Sequence, residues 1–271
     1  MKEHHQHRHD WAFQGPQEVE RLIRDGEVAL PFVSEALGQF DDHSIRRVLD
    51  VGAGPGIGTC ELARLLPRAQ VIALEPSQSM VEAGRSRAAD LGVGDRVEVR
   101  QGGLPDGLAG IVDIDLVWAS MSLHHVADEV GALRALGAVL APSGVIALVE
   151  RAGAVVEFAS LDSDLMERLA DAYEGYFEQM REAIDHHVES SDLAEMVTAA
   201  GLRVVSDQES SITHGPTLDE SQRGYLTGAV ARVIHQLGDS LTSADRDSLH
   251  TFAADPTGSF TLTRRVLIAS K

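Results

Sequence analysis

The sequence predicts an α/β protein built on a doubly wound, mostly parallel sheet. Short apolar or strictly alternating runs, typical of strands, recur between residues 46 and 151, and segments of helical periodicity lie between them. The run VLDVGAGPG at residues 48–56 passes from an apolar strand into alternating glycines. A strand, a glycine-rich turn and a helix in this order favour a ligand site at the carboxyl ends of parallel strands.

Five strands are predicted in the first 151 residues, each apolar or alternating and each bounded by proline, glycine or charged residues. A turn at Pro142–Gly144 precedes the fifth strand. The predicted strands are Arg47–Val51, Gln70–Glu75, Arg96–Arg100, Asp113–Ala119 and Val145–Glu150. The predicted helices around them are Val19–Leu37, Thr59–Leu66 and Ser77–Leu91, the last with Ser77 as a plausible N-cap. Alternation of strands and helices predicts parallel pairing.

The glycine spacing distinguishes between kinds of nucleotide. Glycines at positions 52, 54 and 56 fit a dinucleotide fingerprint poorly, because Ile57 stands where its third glycine belongs. A phosphate-binding loop needs a lysine, and the only lysines are Lys2 and Lys271. Asp50 would repel a pyrophosphate but attract the amino group of an amino-acid-like ligand. These features favour S-adenosylmethionine over NAD.

Glu75 supports the same cofactor. It ends the second predicted strand, 19 residues after Gly56. A carboxylate at such a strand end can accept hydrogen bonds from both ribose hydroxyls of a nucleotide. Alone it would be read as a solvated strand-end glutamate, so the prediction depends on its pairing with the glycine turn.

Composition excludes several classes of partner. The 271 residues carry a net charge of −19, which repels nucleic acid and anionic membrane surfaces. The single cysteine, Cys60, excludes an intramolecular disulfide and a cysteine metal cluster, and no metal site is predicted. The sequence contains neither 18 consecutive apolar residues nor an apolar signal-like start. It therefore predicts a cytoplasmic protein.

Four ordered motifs resemble a known family. The runs VLDVGAGPG, VIALEPSQSM, DLVWASMSLHHV and LRALGAVLAPSGVIALVE are similar to those of class I S-adenosylmethionine-dependent methyltransferases, in their small-molecule branch. The resemblance implies a Rossmann-like sheet of seven strands, the last antiparallel. Residues 203–207 and 264–269 would be strands six and seven.

The resemblance also implies the cofactor contacts. The glycine turn would hold the methionine moiety and Glu75 the ribose, while Met80 would either lie against the adenine or pack within its helix. The family's usual acidic residue after strand three is replaced here by a glycine-rich run, so backbone groups of Gly103 and Leu104 would serve the adenine. The implied cofactor-binding residues are Asp50, Gly52, Ala53, Gly54, Gly56, Glu75, Pro76, Met80, Gly103, Leu104, Ala119, Ser120 and His125.

The segment after strand four should meet the acceptor. Residues 119–122 lack the prolines of amino-methylating DNA enzymes, and Cys60 lies too far away to act as the nucleophile of cytosine enzymes. A small-molecule acceptor remains. His124 or His125 is the candidate catalytic base, if the acceptor must lose a proton, and the alternative is that the pair only lines the pocket.

Outside the core, helical segments predict a cap. The resemblance divides the chain into a tail with lid helices (1–41), a cofactor-binding core (42–151), a helical cap over the acceptor pocket (152–189) and a carboxyl-terminal part (190–271). The last part holds a helical insertion at about 215–256, which would be a further cap element or a homodimer contact. The candidate substrate-pocket residues are Trp11, Tyr173, Tyr176 and His187.

The predicted function is in-line methyl transfer to a small organic molecule, with S-adenosylhomocysteine as product and a place in secondary metabolism. One alternative keeps the cofactor without methylation, as a pericyclic catalyst or a ligand sensor. A less favoured alternative is an NAD-dependent dehydrogenase.

Overall fold

The computed structural model describes residues 15–40, 44–152, 157–158, 161–183, 192–238 and 240–271, and only the backbone of residues 177–183. The helices are α1 (Pro16–Ala29), α2 (Pro31–Leu37), α3 (Ile57–Leu65), α4 (Gln78–Asp90), α5 (Glu129–Val139), α6 (Ser163–Ala183), α7 (Leu193–Ala199), α8 (Glu220–Gln236) and α9 (Ser243–Ala254). The strands are β1 (Arg47–Val51), β2 (Gln70–Glu75), β3 (Val97–Gln101), β4 (Ile114–Ser120), β5 (Leu140–Arg151), β6 (Glu157–Phe158), β7 (Arg203–His214) and β8 (Phe260–Ser270).

One mixed sheet organises these elements. Its order is β3-β2-β1-β4-β5-β8, with β7 on the outer side of β8. Strands β1 to β5 pair in parallel, and β8 runs antiparallel to both β5 and β7. The doubly wound fold and the antiparallel last strand are therefore confirmed. The sheet has eight strands among the described residues instead of the seven expected, because the two-residue strand β6 adds to it by pairing with the start of β8.

The two faces of the sheet bury separate cores. Along β4, Leu116 and Trp118 pack with α1, α2, α3, α6, α8 and α9, while Val117 and Ala119 pack with α5 and α7. Alternation along a buried strand sends neighbouring residues to opposite faces. The carboxyl edge of β1 to β5 thus opens between two helical layers.

Several predicted elements have different bounds, and two of the differences have a clear local cause. The helix expected over residues 19–37 is divided at Pro31, which begins α2 at a position where the missing backbone N–H costs nothing. Strand β5 begins at Leu140 and runs through the predicted turn, because Ile114 pairs with Leu140 and Leu116 with Val145, so that the intervening residues form an irregularity in the strand.

The carboxyl-terminal helices pack on the α1 face. Leu165 and Leu169 of α6 belong to the same core as Leu226 of α8 and Phe252 of α9. Arg168 also donates to Asp245 at 2.7 Å, which links α6 to α9. Among the described residues, no helix combines the length and apolarity required to cross a bilayer.

Candidate functional site

A left-handed turn joins β1 to α3. Gly52, Gly54 and Gly56 have φ values of +68°, +53° and +78°, which side chains other than glycine rarely adopt. A Cβ on Gly52 would lie 2.5 Å from the Cβ of Ser122, and one on Gly56 would lie 3.0 Å from the Cα of Gly84. A Cβ on Gly54 would meet no described atom within 4 Å. Two glycines thus permit close packing, and the third faces open space.

Glu75 fixes this turn from the neighbouring strand. Its Oε2 accepts from the backbone N–H of Gly54 and its Oε1 from that of Ser77, both at 2.9 Å. Burial raises the pKa of the carboxyl, and these two backbone donors act in the opposite direction. Each carboxylate oxygen has a second lone pair, so the group can still accept from ribose hydroxyls.

Asp50 lies beneath the turn at the end of β1 and is 3% exposed. The hydroxyl of Thr59 on α3 donates to its Oδ2 at 2.5 Å. Burial, with the added charge of Glu75, raises the pKa of Asp50 from 3.8 to about 7 despite the Thr59 bond. Sequence reasoning missed Thr59, although a hydroxyl in the first turn of the helix after a glycine turn is well placed to meet a strand-end carboxylate.

The expected adenine side follows β2 and β3. Pro76 and Gly103 are exposed and Leu104 is half-buried, so all three are accessible at this edge. Gly102 donates its backbone N–H to the Glu75 carbonyl at 3.0 Å, which brings the segment after β3 beside the glutamate. Met80 is 1% exposed, which agrees with the alternative that it packs within its helix. Its adenine contact stays a prediction.

The end of β4 packs directly against the glycine turn. Ala119 pairs with Val51 in the β1–β4 register and is buried, and Ser120 is half-buried beside it. Met121 follows with a φ of +53°, and Ser122 then donates its hydroxyl to the Val51 carbonyl at 2.8 Å. This bond holds the loop after β4 against the end of β1, beside Gly52 of the turn.

A glutamate that the sequence analysis did not select organises this loop. Glu150, at the end of β5, accepts from the backbone N–H groups of Ser122 and Leu123 at 3.2 and 3.0 Å through Oε1. Its Oε2 lies 2.7 Å from Nδ1 of His124. The signal was present in the sequence, since the carboxyl ends of adjacent parallel strands meet at one edge.

The two histidines differ in their surroundings. His124 has the carboxylate partner and a side chain that is 42% exposed. The ring of His125 lies 4.1 Å from that of His124, measured between centroids, and His125 is also exposed. A carboxylate on Nδ1 selects the tautomer with a hydrogen on Nδ1, which leaves Nε2 of His124 able to accept a proton.

The predicted site residues at the strand ends therefore come together at one edge, while the predicted cap residues do not all join them. Tyr173 is buried in the α1-face core, where its hydroxyl donates to Gln236 at 3.0 Å. Tyr176 is half-buried on the same helix. Trp11 and His187 lie outside the described residues. A substrate role for these four stays a prediction.

Comparisons with known proteins agree with this arrangement. Residues 48–144 match the family model described as a methyltransferase domain. A ubiquinone/menaquinone biosynthesis C-methyltransferase of Shewanella frigidimarina is 26% identical over 180 residues, covering 59% of this chain and 67% of the relative. Its counterpart in Pseudomonas savastanoi is 33% identical over 133 residues, covering 47% of each chain. The chain thus spans between about half and two thirds of these relatives.

Solved structures show the same fold at low identity. The YcgJ protein of Bacillus subtilis has a TM-score of 0.53 at 20% identity and covers 90% of this chain and 98% of its own. The [4+2]-cyclase SpnF has a TM-score of 0.52 at 16% identity, covering 90% of this chain and 81% of its own. Residues 48–144 thus match a methyltransferase domain, and the strand order and the glycine turn resemble those of class I S-adenosylmethionine-dependent methyltransferases.

Proposed function

We propose that this chain binds S-adenosylmethionine and transfers its methyl group to a small organic molecule. The supporting observation is that two buried carboxylates, Asp50 and Glu75, lie beside the glycine turn at one sheet edge, with Glu75 bonded to the backbone of Gly54. The donor is a cation with an amino group and ribose hydroxyls, and carboxylates suit all three features. When bound, it supplies an electrophilic methyl group on sulfur and leaves as S-adenosylhomocysteine.

The chain's own residues would hold the donor and prepare the acceptor. Gly54 offers the open approach to the methionine moiety, Asp50 and Glu75 the charge and ribose contacts, and the segment around Gly103 the adenine contact. Nε2 of His124 would take a proton from an acceptor O–H or N–H, while Glu150 holds the imidazole through Nδ1. His125 beside it would line the acceptor side.

A small acceptor is supported by charge and by the relatives. The net charge of −19 opposes the approach of nucleic acid. The curated relatives are named for ubiquinone/menaquinone biosynthesis, and a structure with a TM-score of 0.50 at 14% identity is a geranyl diphosphate C-methyltransferase of Streptomyces coelicolor. Both names refer to small organic molecules.

Calorimetry tests the cofactor half of the proposal. S-adenosylhomocysteine should bind the full chain, and NADH should not. Glu75→Gln should weaken the binding, whereas Glu98→Gln should not, because Glu98 is an exposed residue of β3 that pairs with Arg100. Tight NADH binding without S-adenosylhomocysteine binding would favour the dehydrogenase alternative.

Label transfer tests the reaction half. Full-length protein incubated with methyl-labelled S-adenosylmethionine and a panel of phenols, amines and carbon acids should label at least one acceptor. His124→Gln should lower the rate on hydroxyl acceptors. Cofactor binding with no transfer across the panel would instead favour the non-methylating alternatives, a pericyclic catalyst or a ligand sensor.

A further inference from the structure

Two arginines face each other at the end of the β5–β8 ladder. Arg151 and Arg264 are directly paired in the antiparallel register. Both lie on the α1 face of the sheet, because Val149 and Val266, two residues away on each strand, belong to that core. Like charges placed directly opposite each other on paired strands are destabilising. The pair therefore concentrates positive charge at this strand end.

Arg264 is the better enclosed of the two. Its Nη1 donates to the Thr263 carbonyl at 3.0 Å, and it also bonds to the hydroxyl of Tyr225. Its Nε is buried without a hydrogen-bond partner among the described residues. Burial lowers the pKa of Arg264, and the charge of Arg151 acts in the same direction. No described carboxylate forms an ion pair with this guanidinium.

Aromatic hydroxyls and a third arginine complete the group. The Tyr225 ring stacks on Phe260 at 5.1 Å, and the guanidinium of Arg232 lies 5.6 Å from the Tyr225 centroid. Arg232 lies 3.9 Å from Asp25, a carboxylate that also binds Arg21 at 2.7 Å. We call this group the arginine–tyrosine cluster, and it comprises Arg151, Arg232, Arg264, Tyr173, Tyr176 and Tyr225.

The remaining tyrosines, Tyr173 and Tyr176, pack in the same core as Tyr225. Burial raises the pKa of Tyr173, and the charges of Arg151 and Arg232 act to lower it. Tyr176 and Tyr225 also act on Tyr173. All three tyrosines of the chain therefore pack in the core on whose face the arginine pair lies.

We propose that the arginine–tyrosine cluster binds an oxyanion group of the acceptor molecule, either a carboxylate or a phosphate. The proposal rests on the methyltransferase function proposed above and adds the chemical class of the substrate. Guanidinium groups bind such oxyanions through paired N–H donors, and the hydroxyl of Tyr225, which accepts from Arg264, keeps its own hydrogen to donate.

The position of the cluster suits an acceptor anchor. Arg151 directly follows Glu150, the carboxylate that holds His124, and its side chain is exposed. Arg151, the exposed member of the cluster, therefore lies at the strand end that carries the candidate base, on the opposite face of β5 from Glu150. In a chain of net charge −19, the cluster is a local positive site that would draw a small anion to this edge.

The test is calorimetry on the full chain saturated with S-adenosylhomocysteine, with benzoate, phenyl phosphate and benzyl alcohol as probes. At least one anion should bind, and benzyl alcohol should bind at least roughly tenfold more weakly. Arg151→Gln and Arg264→Gln should each weaken anion binding by roughly 10- to 100-fold. The matched control is Arg265→Gln, the next residue of β8, which bonds Asp207 at 2.8 and 2.6 Å on the opposite face.

Several results would overturn the proposal: no anion binding at millimolar concentration, equal binding of benzyl alcohol, or an Arg265→Gln effect as large as that of Arg151→Gln. Because Arg264 is enclosed, its variant could fail to fold, and the exposed Arg151 then carries the test. In a further outcome, the wild type would bind the anions through its arginines and yet fail to bind S-adenosylhomocysteine. That result would contradict the proposed methyltransferase function but would support the oxyanion site. The ratio of benzoate to phenyl phosphate affinity identifies the preferred anion.

Discussion

The sheet carries two charged regions of opposite sign near one edge. At the ends of β1 and β2, each buried carboxylate has donors within the protein: Asp50 has Thr59, and Glu75 has two backbone N–H groups. At the end of β5, Arg151 opposes Arg264, whose Nε has no partner among the described residues. The carboxylate region is therefore held by hydrogen bonds within the protein, whereas the arginine region retains an N–H donor, on Nε of Arg264, that a ligand could use. Under the two proposals, the cofactor would meet buried carboxylates and the acceptor would meet arginines, so the two ligands would be distinguished by charge.

The largest effect should come from Gly52→Ala. The new Cβ would meet the Ser122 side chain at 2.5 Å on a backbone with a φ of +68°. Ser122 is held by its bond to Val51, so the clash is not easily relieved. We expect a loss of about 3 to 5 kcal/mol in the free energy of unfolding, measured in urea.

Gly54→Ala is its matched control, because the added Cβ meets no described atom within 4 Å. This variant should lose about 1 kcal/mol from backbone strain and should fold, yet bind S-adenosylhomocysteine poorly. Equal stability of the two variants would show that the Ser122 contact does not organise the carboxylate region.

The pH dependence of stability should report Asp50. A carboxyl whose pKa is about 7 in the folded state and 3.8 when unfolded holds a proton that the unfolded chain has already released. The folded state is therefore favoured at low pH, and this contribution is lost as pH rises from about 4 to about 7. Ligand-free wild type should lose about 2 to 4 kcal/mol relative to Asp50→Asn over this range. If the free energies of unfolding of the two proteins change equally with pH, the raised pKa of Asp50 is contradicted.

Glu75→Gln should have a smaller effect, on affinity rather than stability. The amide can replace one of the two accepting oxygens but not both, and it carries no charge. We expect S-adenosylhomocysteine affinity to fall roughly 10- to 50-fold by calorimetry. An unchanged affinity would remove Glu75 from the cofactor site and leave it as a support for the glycine turn.

Tyr173→Phe should have the smallest effect. It removes a hydroxyl that donates to Gln236, at a cost of about 1 kcal/mol in thermal unfolding. If the hydroxyl also contacts the acceptor anion, benzoate or phenyl phosphate affinity will fall as well. A stability change alone would confine Tyr173 to packing.

Local patterns made the carboxylate region predictable. Apolar runs, the glycine spacing and the distance from Gly56 to Glu75 all lie within one stretch of sequence, so periodicity and turn chemistry identify them. Thr59 and Glu150 were missed for different reasons. A threonine in a helix has no distinctive spacing, while Glu150 required the same strand-end argument that had been applied to Glu75 but not to β5.

The arginine region could not be read in this way. Arg151 and Arg264 are 113 residues apart in sequence, and only the β5–β8 register brings them together. That register depends on the packing of the whole sheet, not on any local run. The helices that supply the tyrosines were predicted, but their contacts with the arginines depend on how α6 and α8 lie on the sheet.

The adjacency of Glu150 and Arg151 has a consequence for size selection. The two side chains leave β5 on opposite faces, one toward His124 and the other toward Arg264. An acceptor tethered by its anion at Arg151 would span a fixed interval to the imidazole. The distance between the two groups would then determine which atom of the acceptor receives the methyl group, so that the length of the acceptor matters more than its reactivity.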